Sequence, residues 1–330
     1  MPDSSPATRT PLSNLPPHLM LERVAQLFSE GSDPAPTVTP AQRHARRVAL
    51  FKSGALARVA EIARGLGPFV KSAPVTALVS LADLMIREKA IGRAGLPDPT
   101  QALGEEHAFA GLAGLAPDLS ADSIVEGYAS GLTLDARIGA AVWWAPAQRA
   151  IAHPSVVAAA LTRAGADEAR HFAFDANFEI VLDACRRNGV ALNAPIMFAL
   201  CGLFDVGLAH SWEVRDAEGA LCAGGVGLAI GQTFLCLNAF ARDDAAGRFG
   251  LARLAAHLER WDYAVLDAHG LETACPTLAL NAGFGLADQA AFLAVLSLHL
   301  NGGRTRLHWK AEDAVAASRA RPSMEPRIAA

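Results

Sequence analysis

The chain has 330 residues, 52% of them hydrophobic and 19% charged, with a formal net charge of −4. That length and apolar content suit one large or two ordinary domains with a sizeable core, and they exclude an overall disordered chain. Five widely spaced cysteines (Cys185, Cys201, Cys222, Cys236, Cys275), without a CxxC or paired histidine spacing, point to reduced buried thiols in the cytoplasm and to no structural metal.

In chain order, residues 1–40 read as a flexible lead rich in Pro, Ser and Thr, without the basic start and apolar centre of a signal peptide. Residues 41–105 read as a basic helical extension and linker. Ten Lys and Arg against three acidic side chains fall in 41–95, and Val48, Leu50, Phe51, Leu56, Val59 and Ile62 form the apolar face of a first helix. An excess of positive charge on an otherwise acidic chain suits an arm that contacts phosphates, or a solvated helix face. The longest apolar run, Ala73–Ile86, is interrupted by Asp83 and is too short to cross a bilayer, so no membrane partner is expected.

Residues 106–206 form the next unit. Asp118 or Ser120 caps a helix that carries Ile124, Val125 and Tyr128. Pro146 stops any helix through Trp143-Trp144. Phe172–Phe174 is a short strand, and Asp175–Arg187 and Ala194–Val206 are helices. In the following unit, 207–317, strand-like alternation marks Ala209–Arg215, Leu221–Ile230 and Thr233–Phe240, with turns at 216–219 and 231–232. A helix from Asp243 to Trp261, a short buried strand at Tyr263–Ala268, a helix over Leu286–Leu300 and an edge strand at Leu307–Lys310 complete it. Residues 318–330 read as a disordered tail. Strands joined through a crossover helix define a mixed α/β (α+β) fold with flanking helices.

Several motifs carry a resemblance in the same order along the chain. They are Asp118-Leu119-Ser120 with Tyr128 and Gly131, Trp143-Trp144-x-Pro146-x-x-Arg149, Gly207-Leu208-Ala209-His210-Ser211-x-Glu213-Val214, the glycine run 224–231, Phe240-x-Arg242, Leu266-Asp267 and Ala282-Gly283-Phe284. Together they resemble the leucyl/phenylalanyl-tRNA–protein transferase family. The resemblance implies a GNAT-like sheet and no cofactor. It also implies transfer of an apolar amino acid from aminoacyl-tRNA to an amine, either a protein N-terminus or a small amine, by a cytoplasmic monomer.

The resemblance also implies roles for residues. The family's Asp-x-Gln aligns with Asp267-Ala268-His269, so His269 stands at the position of the glutamine that assists the attacking amine. If Asp267 and His269 share one strand they face the same side, and the carboxylate would make the imidazole a competent base. The family glutamate that engages the acceptor becomes Leu237, beside Asn238 and Phe240, which leaves Glu213 as the carboxylate expected near the site. Trp143 and Trp144 match a tryptophan that stacks on the terminal adenosine, with core packing as the alternative. Arg242 and Arg248 are candidates for phosphate or ribose contact. Two other readings stay open: a diverged homologue that binds tRNA or a partner without catalysis, and an acyl-CoA-dependent acyltransferase. Asp243 and Asp244 speak against the second, since they would repel pyrophosphate at that helix start.

Overall fold

The computed structural model describes residues 40–52, 95–104, 109–162, 169–188, 191–274 and 281–301, with Val59, Ala63, His107 and Trp309. The expected flexible lead, the later helices of the basic extension, Cys275, most of the edge strand at 307–310 and the tail lie outside the described residues.

Three long strands follow the alternation in the sequence: β6 (Ala209–Arg215), β7 (Leu221–Ile230) and β8 (Thr233–Ala241). They sit inside a seven-stranded sheet of order β10-β4-β9-β8-β7-β6-β5, completed by β4 (Gln148–Ala152), β5 (His171–Phe174), β9 (Val265–Asp267) and β10 (Gly285–Asp288). All its neighbours are antiparallel except β8 and β9, which run parallel with Leu235 opposite Asp267. The sheet therefore draws β4 and β5 from before residue 206 and crosses the division expected there. A second, three-stranded sheet orders β1 (Leu112–Leu115), β3 (Val142–Trp144) and β2 (Thr133–Asp135).

Eight helices pack on this frame among the described residues. The first, α1 (Pro40–Phe51), is followed by α2 (Ala121–Ala129), α3 (Pro154–Ala160), α4 (Phe178–Arg187), α5 (Ala194–Asp205), α6 (Asp244–Arg260), α7 (His269–Ala274) and α8 (Gln289–His299). None is long and apolar enough to cross a membrane. Side chains of α4, α5 and α8 meet Val226, Leu228, Leu235 and Phe240 on one face of the large sheet. On the other face, α3 and α6 meet Trp212, Val214, Ala229 and Phe234.

Local chemistry explains the boundaries. Ser120 caps α2 through the Ser123 N–H, with Asp118 accepting from the Ser120 hydroxyl at 2.9 Å. Asp243 caps α6 at 2.7 Å from the Ala246 N–H. The region expected as one helix from Leu286 to Leu300 begins instead with β10, because Gly285–Asp288 pair with β4; Asp288 then caps α8 at 2.8 Å. Tertiary pairing overrides helical propensity there. Cys185, Cys201, Cys222 and Cys236 are buried thiols.

The basic extension contributes a structural arm. Arg47 is only 8% exposed and grips Asp205 through two nitrogens at 2.6 and 2.8 Å and Glu179 at 3.0 Å, while Phe51 meets Phe198 edge-on. These contacts raise the guanidinium's pKa further. Arg47 is therefore committed to the body and is not available to phosphate; Arg46 and Lys52 remain exposed.

A glycine tests the packing of α6 on the sheet. A Cβ at Gly250 would overlap the Trp212 ring and crowd Val214. In an exposed helix interior Gly→Ala is stabilising by about 1 kcal/mol. Here Gly250→Ala is expected to destabilise by roughly 1–3 kcal/mol in urea unfolding, the cost of overpacking a closed core.

Candidate active site

The candidate site lies where β9 ends beside β8. Asp267, fully buried, pairs with the buried Arg149 of β4, and its Oδ1 accepts the main-chain N–H of His269 at 3.0 Å. The Arg149 guanidinium lies 4.5 Å from the Phe292 ring centre. Its Nη1 is buried with no hydrogen-bond partner among the described residues.

Next to it, β8 carries a bulge. Val226 faces Asn238 and Gly227 faces Cys236, so Leu237 has no partner across the ladder. The first turn of α7 lies against this bulge: a Cβ at Gly270 would overlap the backbone of Leu237 and Asn238. His269, Asp267, Leu237 and Asn238 are thus brought together, and Phe240 lies further along β8, buried in the core. Asn238 is 8% exposed.

Two expectations about His269 change. It begins helix α7 and does not continue the strand, and Asp267 engages Arg149 and the His269 main-chain N–H, where the sequence suggests a carboxylate that orients the ring. Desolvation, then the positive charges of Arg149 and Arg137, push the imidazole down to about 3. At neutral pH the ring is uncharged and a very weak base.

Other expected residues lie elsewhere. Trp143 is 1% exposed and packs edge-on against Tyr128, with Gly127 at its ring, so it has no open face for a nucleobase. Trp144 is also buried; its indole donates to Asp135 at 2.9 Å, and the Arg137 guanidinium covers its ring at 4.4 Å. Glu213 is fully buried on β6, with β7 between it and β8. It accepts from the Asn177 N–H and, at 3.0 Å, from Arg215, which fixes the start of α4. Arg242 is exposed, four residues past Asn238 and so roughly 13 Å along the strand. It lines a separate cavity of about 320 Å³ with Arg170, Asp216 and Glu218. Arg248 sits 3.8 Å from Asp244.

The sequence reading missed the second half of the cluster. Asp135 and Arg137 pair at 2.6 Å, and burial pushes the Asp135 carboxyl upward against the pull of Arg137. Tyr128, buried and pushed further above its ordinary range by desolvation, accepts the Leu134 N–H at 3.1 Å within electrostatic reach of Arg149 and Asp267. Arg149 and Tyr128 were visible as motif residues, but nothing in their spacing assigns a partner 118 residues away to Arg149.

Comparison with known proteins agrees with the motifs. The family model for leucyl/phenylalanyl-tRNA protein transferase matches residues 153–296, which includes β5 to β10 and most of α8. Leucyl/phenylalanyl-tRNA–protein transferases are similar to this chain at 32% identity in Pseudomonas fluorescens, over 48% of this chain and 73% of the relative. The same name is carried by relatives in Ectopseudomonas mendocina (30% identity; 58% of this chain, 86% of the relative) and Thiobacillus denitrificans (33%; 48% and 72%). The fold is a mixed α/β one. The chain belongs to the leucyl/phenylalanyl-tRNA–protein transferase family, a family of enzymes.

Two outcomes check the electrostatics. Asp267→Ala leaves the Arg149 cation buried without its counter-charge and is expected to cost roughly 3–5 kcal/mol in denaturant unfolding. The depressed His269 makes stability fall on acidification. Below its ordinary 6.5 the unfolded chain takes up a proton that the folded chain refuses until about 3. Each pH unit in that window removes up to about 1.4 kcal/mol, and stability is fully present above it. His269→Gln is expected to flatten that share of the pH dependence between 6.5 and 3 in parallel urea titrations.

Proposed function

We propose that this chain transfers an apolar amino acid of the leucine or phenylalanine type from aminoacyl-tRNA to the α-amine of an acceptor, at the end of β9 beside His269 and Asn238. The observation that carries this reading is the junction of β8, β9 and α7, where the bulge at Leu237 and Asn238 meets the first turn of α7 beside the buried Arg149–Asp267 pair and His269. In the reaction the amine nitrogen bonds to the ester carbonyl carbon and the bond from that carbon to the ribose oxygen breaks. The amine loses a proton and the ribose oxygen gains one.

An α-amine has a reference pKa of about 7.7–8.0, so roughly a tenth to a sixth of it is already unprotonated at neutrality. His269 then acts by position. A neutral ring nitrogen accepts an N–H of the amine and directs its lone pair at the carbonyl, as a glutamine amide oxygen would. It is too weakly basic to hold the proton, which passes to the leaving ribose oxygen. Asn238 supplies an amide to the tetrahedral intermediate or the acceptor. The tRNA would be met by the exposed Arg46 and Lys52 together with Arg242, whereas Trp143 supports the site from within the core. Acyl-CoA chemistry is disfavoured at the start of α6, where Asp243 already occupies the amide donor of Ala246 and Asp244 follows it.

Single-turnover transfer of radiolabelled leucine or phenylalanine from its tRNA to peptide acceptors tests the reading. Labelled peptide is expected with the wild type. His269→Ala should slow its formation roughly 10- to 100-fold, the size of one lost positioning hydrogen bond, while His269→Gln should retain most of the rate. Salt-sensitive tRNA binding without transfer to any acceptor would instead favour a tRNA-binding protein without catalysis.

A further inference from the structure

His210 belongs to one of the motifs along the chain but takes no part in the proposed transfer. It sits on β6, only 1% exposed, with β7 between it and β8. Its Nδ1 lies 2.7 Å from Oδ2 of Asp175 and its Nε2 lies 3.1 Å from the Gly207 carbonyl oxygen. A carbonyl oxygen only accepts, so Nε2 carries a hydrogen; an ionised carboxylate only accepts, so Nδ1 carries one too. The other oxygen of Asp175 accepts the Ser211 N–H at 2.8 Å. Between a carboxylate and an imidazole the shared proton belongs to the imidazole, the weaker acid by more than two units in the reference state. A ring with both hydrogens is an imidazolium.

The face of that ring is covered. Trp309, 3% exposed, stacks on it with ring centres 4.2 Å apart and planes within 8°, and indole is the aromatic face that holds a cation best. Trp309 in turn meets Phe174 of β5, Phe234 of β8, Trp261 at the end of α6 and Tyr263 ahead of β9, with ring centres 5.0–5.8 Å apart. The other titratable or charged groups packed around this cluster are engaged away from His210. His257 of α6 stacks on Phe172 and donates to the Arg253 carbonyl at 2.7 Å, and the Arg253 guanidinium lies 5.9 Å from the Phe249 ring centre. Asp175 is therefore the counter-charge in contact with the His210 ring among the described residues. It holds a left-handed backbone, φ 53°, in the turn between β5 and α4.

We infer that His210 is a buried cation that locks Trp309 into the face of the sheet, and that the lock is proton-linked. With the proton in place the ring engages Asp175, Gly207 and Trp309 together, joining the turn after β5, the turn before β6 and the indole. When the proton leaves, one ring nitrogen presents a lone pair to an oxygen, so one of the two hydrogen bonds is lost and the stack loses its cation. The lock thus loosens as pH rises, the opposite sense to His269, whose ring takes up its proton only at about 3.

The test is nitrogen NMR of the full chain with labelled histidine and tryptophan rings, the two signals being assigned with His210→Gln and Trp309→Phe. At neutral pH both ring nitrogens of His210 are expected at the shift of a protonated imidazolium. Asp175→Asn then removes the charge and keeps the contacts: asparagine tolerates the left-handed backbone, its oxygen accepts the Ser211 N–H, and its amide donates to an unprotonated Nδ1. In that variant His210 is expected as a single neutral tautomer, and solvent exchange of the Trp309 indole N–H should rise roughly 10-fold or more, the scale of a desolvated cation–π contact. Should the variant not fold, raising the pH on the wild type removes the same charge, with exchange read relative to free indole. A neutral His210 ring in the wild type at neutral pH would overturn the inference. So would Trp309 exchange that stays the same once the charge is gone.

Discussion

A buried ion pair between Arg149 and Asp267 holds the site together. β4 contributes the cation and β9 the anion, from adjacent short strands of a sheet whose long strands come from one continuous hairpin run. Such a pair adds little stability over an apolar replacement, but neither partner can be lost alone without stranding a charge in the core. It therefore fixes the register of β4 against β9, and it fixes where β9 stops. The Asp267 oxygen that accepts the His269 N–H turns the chain out of the strand into α7.

The chemistry of the junction follows from that arrangement. The aspartate neutralises Arg149 and is not left to orient an imidazole, and burial first, then the Arg149 and Arg137 charges, keep His269 uncharged. Under the proposed transfer, histidine in this setting serves as a neutral hydrogen-bonding group and not as a base. Catalysis of aminolysis by placement is sufficient in principle, because the nucleophile has a pKa near neutrality and the substrate ester is already activated.

Charge counted along a sequence and charge presented to a partner are different quantities. Residues 41–52 read as basic, yet Arg47 is sealed between Asp205 and Glu179, so α1 is tied to α4 and α5. The same holds for Glu213, a carboxylate inside a family motif whose oxygens are taken by neighbours on the far side of β7.

Much of the fold was legible in the sequence. Period-two alternation located β6 and β7 at their observed bounds and β8 to within a residue, and Asp243 announced the start of α6. These are local signals, set by side chains a few residues apart. The motif order pointed to the family that the comparisons show, and it singled out Asp267, His269, Leu237 and Asn238, which the fold does gather. The sequence could not determine which groups stand opposite one another across the sheet. β4, β9 and β10 are only three to five residues long, too short for periodicity to register, and they exist because they pair with each other. The Arg149–Asp267 contact, the burial of Trp143 and the loss of basicity at His269 arise from that pairing. Desolvation and Coulomb interaction depend on distance in space, and only the tertiary structure supplies it.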